Sequence, residues 1–149
     1  MIVIKYRGGL GNQMFQYAFQ VAVQKKYPDV EVMGDLSHYQ MHNEHNGFEL
    51  EQFFGIKVQM PNKKQLKTLS PYYVPSKVYD KLPEKLRYLI AHKLQYKYYE
   101  HNRKKKCINY LKQEYHNTFE TQVFSLDTSK DWYLDGLWQD FRYFLECAD

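Results

Sequence analysis

Cysteine is scarce. Cys107 and Cys147 fall in no metal-binding spacing and build no disulfide framework, so both are expected to be reduced and structural. Arginine is scarce too: Arg7, Arg87, Arg103 and Arg142 are the whole set, and no two are adjacent. The basic balance, a formal net charge of +4 and a pI of about 8.9, is therefore carried by lysine. That bias suits a nucleotide diphosphate or anionic lipid heads and is too weak to require nucleic acid. Long apolar runs are missing: no stretch approaches the roughly 18 residues of a membrane span. Nor is there a signal peptide, since Met1 leads straight into a strand-like run. The expected location is cytoplasmic, with peripheral membrane contact left open. Internal repeats and low-complexity segments are also lacking. What remains is a hydrophobic content of 44%, enough to exclude a disordered chain, and 15 tyrosines with 9 phenylalanines. Tyrosine keeps a polar tip, which suits half-exposed walls facing sugars.

The chain of 149 residues suits one domain. Its organising stretch is Arg7-Gly8-Gly9-Leu10-Gly11-Asn12-Gln13-Met14-Phe15-Gln16-Tyr17-Ala18. An apolar run, Met1-Ile2-Val3-Ile4, precedes it. Met14, Tyr17, Ala18, Val21 and Ala22 follow with the spacing of one helical face. The spacing predicts a strand over 2–6, a glycine loop and a helix over 13–27, ended by Tyr27-Pro28-Asp29. Val30-Glu31-Val32-Met33 alternates like a second strand. Strand, helix and strand in that order make a parallel unit, in which ligands sit beyond the carboxyl ends of the strands. The glycine loop and Gly34-Asp35 both lie at such ends. A helix N-terminus behind glycines offers free N–H groups and a positive dipole end to an anion.

The loop matches neither a dinucleotide fingerprint nor a Walker loop. Its pattern is G-G-x-G-N-Q, with carboxamides at Asn12 and Gln13 where a P-loop has lysine. Such groups read hydroxyls and phosphate oxygens without adding charge. A plain tight turn is the alternative.

Downstream, His38, His42 and His45 allow a metal-site reading against that of a solvated loop. A short helical turn is expected around Phe48–Phe54, a short strand at 56–58, and lysine-rich helices over 62–69 and 76–95. Those helices are punctuated by Pro71, Pro75 and Pro83. Tyr96, Tyr98 and Tyr99 precede Arg103-Lys104-Lys105-Lys106, an RNA-binding reading against that of a basic solvated turn. The stretch 119–126 reads as loosely strand-like. Trp132-Tyr133-Leu134 reads as a buried strand broken by Gly136, and Gln139-Asp140 opens a final helix. Gly136-Leu137-Trp138-Gln139 is thus a second strand-to-helix junction, facing the same cleft if its strand is parallel to the first. Trp138 is there either a ligand wall or a core aromatic.

Gly8 to Ala18 resembles the N-terminal signature of the α-1,2-fucosyltransferases of glycosyltransferase family 11. Tyr133-Leu134-Asp135-Gly136-Leu137-Trp138-Gln139-Asp140-Phe141-Arg142-Tyr143-Phe144 is similar to a second family string, and Phe48-Glu49-Leu50-Glu51-Gln52-Phe53-Phe54 to a weaker third, in family order. The resemblance implies an α/β fold: the Rossmann-like N-terminal half of a GT-B-type enzyme, a small mostly parallel sheet flanked by helices. On that reading, residues 1–149 are the acceptor-side domain and the C-terminal domain that binds GDP-fucose is absent. Members are longer, and their His-x-Arg-Arg-Gly-Asp string, which pairs with the donor pyrophosphate, has no counterpart here. The implied reaction transfers L-fucose from GDP-fucose to the 2-hydroxyl of a terminal galactoside, with inversion and without a metal. Asn12 takes the catalytic position beside the reacting sugar and phosphate. Arg7, Gly8, Gly9, Gly11, Gln13, Trp138 and Gln139 are donor- or substrate-binding candidates. Asp35, at a strand end, is the candidate base, a turn role being its alternative. The competing reading is a non-catalytic sugar-binding remnant, or a subunit that needs a partner half in trans.

Overall fold

Ile2-Val3-Ile4-Lys5 is apolar and β-branched, and forms strand β1 (Ile2–Lys5), buried along its whole length. The computed structural model describes residues 1–41, 45–70, 81–89, 101, 109–115 and 118–145. Among these, β1 is followed by α1 (Leu10–Lys26), β2 (Val32–Asp35), α2 (Ser37–Met41), α3 (Leu50–Phe54), α4 (Lys63–Leu69), α5 (Glu84–Leu89), β3 (Asn109–Lys112) and β4 (Trp132–Asp135). The strands make one four-stranded sheet in the order β2-β1-β4-β3, and every pairing is parallel. Ile2 stands opposite Val32 on one side and Trp132 on the other. The fold is therefore α/β, with the parallel sheet expected from the strand–helix–strand order.

Alternate residues of a strand face opposite ways. Ile2, Ile4 and Tyr6 meet Phe19 and Val23 of α1, together with Val32, Leu111, Leu134, Trp138 and Tyr143, in the main core. Val3 and Tyr133 face the other side, under Leu69 of α4. That side turns polar toward the carboxyl ends of the strands. Lys5 reaches Asp135 at 3.4 Å, Tyr110 donates to Asp135 at 2.7 Å, and Tyr133 donates to Asp35 at 2.8 Å. Burial pulls the Lys5 ammonium below its ordinary pKa, against the pull of Asp135.

Several expected boundaries move. The second strand begins at Val32 and ends at Asp35, later than its alternation suggested. Residues 56–58 join no ladder; beside them the Gln59 carbonyl accepts from the Gly34 N–H at 2.9 Å. The stretch 119–126 holds a 3-10 helix, Thr121–Ser125, and the expected final helix is a short 3-10 turn, Phe141–Tyr143. Of the helix expected over 76–95, only 81–89 lies within the described residues. Tyr96, Tyr98, Tyr99, the run Arg103-Lys104-Lys105-Lys106, His42 and both cysteines lie outside them. No described helix is long and apolar enough to cross a membrane.

The largest correction concerns α1. Its apolar spacing marks Met14, Tyr17, Ala18, Val21 and Ala22 as the covered face; Ala22 is buried and Tyr17 packs partly on the core, yet Met14 is 49% and Val21 43% exposed. The buried residues are Gln13, Gln16, Phe19, Gln20, Ala22 and Val23. The helix is turned so that a row of glutamines faces inward, and each carboxamide is spent on backbone or on a buried hydroxyl. Gln20 accepts from the Tyr6 hydroxyl at 2.7 Å, and Gln24 donates to the Val30 carbonyl at 3.0 Å while accepting from the Val32 N–H at 3.3 Å. Buried polar groups satisfied in this way carry little penalty, and they tie α1 to the chain on both sides of it.

Candidate functional site

Two loops leave neighbouring strands at the same edge of the sheet: Tyr6–Gly9 after β1 and Gly136–Asp140 after β4. Gly8 bends the first, with a φ of +79° that a side chain rarely adopts. A methyl group there would also overlap Asn12 Nδ2. Gly9 is the N-cap of α1 and supplies no side-chain cap, and the first turn holds no acidic residue. The N–H groups of Leu10, Gly11 and Asn12 are left without intrahelical acceptors, at the positive end of a 17-residue helix. The turn at the start of α1 is thus open to an anion or a polar sugar.

The glutamines fix the geometry of these loops. Gln13, fully buried, donates to the carbonyls of Gly8 at 3.0 Å and Gly47 at 2.8 Å and accepts from the Glu49 N–H at 2.8 Å. It is a support for the loop rather than a ligand-facing group. Gln16 accepts from the Arg7 N–H at 3.1 Å and donates to the carbonyls of Arg7 at 3.2 Å and Gly136 at 3.5 Å, so one side chain joins both loops. Tyr39 donates to the Gly8 carbonyl at 2.9 Å, and the ring of His45 lies over Gly9. Arg7 is partly exposed beside the loop, and its Nε is buried with no hydrogen-bond partner among the described residues. Gly11 has open space around it.

The second loop is held from beneath. Gln113 accepts from the N–H groups of Leu137 and Trp138, each at 3.0 Å, and donates to the Thr118 carbonyl at 2.7 Å. A methyl group on Gly136 would come within 2.8 Å of Gln113 and of the Trp138 ring. Trp138 takes a φ of +55°, strained for an aromatic residue. Its ring is fully buried and stacks on Phe19, with centroids 4.1 Å apart and planes 5° from parallel. Trp138 is therefore a core aromatic, one of the two roles weighed for it. The loop tip carries Gln139, whose Nε2 donates to Asn12 Oδ1 at 2.8 Å. Asp140 accepts from the Arg142 N–H and is held at a pKa of about 2 by its hydrogen bonds to Arg142.

Asn12, Gln139, Arg7 and the three glycines are thus brought together. Asp35 is not. It points to the sheet face opposite α1, is 1% exposed, and accepts from the Ser37 N–H at 2.8 Å, from Tyr133 and from Ser70. That is the turn role. Among the described residues no cluster of His, Cys, Asp or Glu could hold a metal ion. Gln16, Gln113 and Tyr39 were not singled out from sequence. Only the repeated Q spacing along α1, Gln13, Gln16, Gln20 and Gln24, signals the first of them.

At the other end of α1, a cavity of about 580 Å³ is lined by Lys25, Lys26, Phe119, Phe124, Arg142 and Tyr143 among others. Burial pushes the Tyr143 phenol up to about 12, while its oxygen accepts from the Glu120 N–H at 2.6 Å. Above pH 10 the unfolded chain loses this proton and the folded chain keeps it, so stability falls as pH rises from 10 toward 12. Tyr6, raised by burial, acts with the same sign; Lys5, lowered by burial, acts with the opposite one. Tyr143→Phe should therefore flatten the alkaline fall of the urea midpoint. A wild-type slope in that variant would show that Tyr143 does not contribute.

No protein-family model, no curated protein and no solved structure matches this chain.

Proposed function

We propose that the chain is the acceptor-side half of a GT-B-type, inverting α-1,2-fucosyltransferase, with a Rossmann-like sheet. It takes part in transfer of L-fucose from GDP-fucose to the 2-hydroxyl of a galactoside. The observation that carries this reading is the hydrogen bond between Asn12 and Gln139, 127 positions apart in sequence. Each belongs to a string that resembles family 11, and the two strings meet at one edge of the sheet.

The chemistry follows from what the loops offer. Uncapped N–H groups at the start of α1 and the Asn12 carboxamide face an incoming phosphate or sugar oxygen with donors and no charge. The acceptor hydroxyl attacks the fucose anomeric carbon through an oxocarbenium-like transition state as the bond to GDP breaks, and the departing diphosphate needs fixed donors or cations. Arg7 is the arginine beside the loop, and one guanidinium is a thin clamp for a diphosphate. A second, donor-binding half is therefore part of the proposal. The exposed apolar surface on and near α1, with Phe141 68%, Leu145 63% and Met14 49% exposed, favours a chain that works against another domain. Asp35 is not assigned the base, because it is spent on the turn.

The test is GDP release with lactose as acceptor. Residues 1–149 alone should give no turnover above background. Adding the C-terminal half of a family 11 enzyme in trans should give turnover. Robust activity of the 149 residues alone would overturn the half-enzyme reading. Binding of galactosides with no turnover in either arm would favour a sugar-binding remnant.

A further inference from the structure

A carboxamide has two ends of opposite character, and which end faces a ligand decides whether it attracts or repels an anion. Asn12 sits where that choice matters, beside the open N–H groups of α1. We propose that Gln139 is a positioning residue that makes the choice. By donating Nε2 to Asn12 Oδ1 at 2.8 Å, it occupies the acceptor end of Asn12. The donor end, Nδ2, then lies beside Gly8, in the space that a side chain there would fill. The bond itself does not depend on the proposed reaction; its consequence for the donor phosphate rests on that reading.

Gln139 can do this because the residues around it are anchored and its own backbone has little freedom. On one side, Leu137 and Trp138 are pinned through their N–H groups to Gln113, and the Trp138 ring is locked against Phe19. The Gln113 amide is itself oriented, because its other end donates to the Thr118 carbonyl. On the other side, Asp140 is fixed by hydrogen bonds to the Arg142 N–H and to its guanidinium at 2.8 and 2.7 Å. The positive φ of Trp138 is the bend that sends Gln139 toward α1. Strain held by surrounding contacts is how a loop aims one side chain. Without Gln139, the Asn12 amide would be free to turn over, and Oδ1 would meet an anion with a lone pair.

Two carboxamides can also bond in the reverse sense, so the test must read direction. Side-chain amide exchange by ¹⁵N NMR on the 149-residue chain does so. In the unaltered protein a Gln139 Nε2 proton should exchange slowly with water, and the Asn12 Nδ2 protons fast. In Gln139→Glu at pH 7 the carboxylate can only accept, so Asn12 must turn, and an Asn12 Nδ2 proton should become the protected one. Acidification below the usual glutamate pKa of about 4.3 gives the carboxyl a proton to donate, and the protection should reverse. In Gln139→Ala, which leaves the Asn12 amide alone, its Nδ2 protons should stay unprotected. Protection of Asn12 Nδ2 in the unaltered protein, or no protection of either amide, would overturn the proposal without any variant. Adding GDP-fucose to residues 1–149 fused to the donor-binding half of a family 11 enzyme supplies the second arm. It should shift the Asn12 Nδ2 resonances in the unaltered chain and leave them unmoved in Gln139→Glu at pH 7. Equal shifts in both proteins would overturn the positioning role. No shift in the unaltered chain would count against the donor reading, while the exchange pattern still decides the bond.

Discussion

In a catalytically complete enzyme, Asn12→Ala should lower kcat by about 10²–10³, the usual cost of removing one preorganised donor from a developing charge. The effect should fall on kcat more than on the KM for GDP-fucose, because the donor gains most when charge builds on the leaving diphosphate. The geometry behind this is specific. Asn12 lies in the first turn of α1, its Oδ1 is taken by Gln139, and its Nδ2 lies beside Gly8, in the space a side chain there would fill. Alanine keeps the helix and deletes only the carboxamide, so the fold should be retained. Steady-state kinetics with varied GDP-fucose and fixed lactose read the split. Unchanged turnover would remove Asn12 from the reaction.

Phe19→Ala should destabilise the chain by about 3–5 kcal/mol, within the range for a fully buried aromatic. Phe19 is 0% exposed, stacks on Trp138 at 4.1 Å and meets Tyr143 edge-on at 5.0 Å. Deleting it opens a void under the ring that holds the second loop. The result should therefore also appear at the site, as lost protection of the Gln139 amide. Met14→Ala, on the same helix and half-exposed, should change stability by no more than about 0.5 kcal/mol. Urea denaturation of the two variants is the check. A Met14→Ala cost equal to that of Phe19→Ala would mean that the helix faces the other way.

That pair of variants also marks where the sequence was legible and where it misled. The order of β1, α1 and β2 was readable because β-branched runs, glycines and helical spacing agree there. Trp132–Leu134 was readable as a strand ended by Gly136. The meeting of the two junctions at one cleft was also readable, given a parallel sheet. Rotation of α1 about its axis was not. A period of 3.6 marks two apolar sides here, Met14-Ala18-Val21 and Phe19-Ala22-Val23, and nothing in hydropathy says that glutamines will be the inward partners of one of them. Their burial is decided by backbone groups of Gly8, Arg7, Gly47 and Glu49, which are distant or irregular. β3 was missed for a related reason: Asn109-Tyr110-Leu111-Lys112 is short and polar at both ends, and it is a strand because β4 pairs with it. Asp35 was placed correctly at a strand end, but strand parity decides which face it serves. The strand beginning at Val32 aligns Asp35 with Lys5, on the side away from α1.

The central claim is that the Asn12–Gln139 junction belongs to a fucosyl-transfer site. It is tested most directly by fusing residues 1–149 to the donor-binding half of a family 11 enzyme and following fucose from GDP-fucose onto lactose. The account predicts transfer to the 2-hydroxyl of the galactose, lost by about 10²–10³ in the Asn12→Ala fusion. A folded fusion that binds GDP-fucose and transfers no fucose, or one whose transfer is indifferent to Asn12, would contradict it.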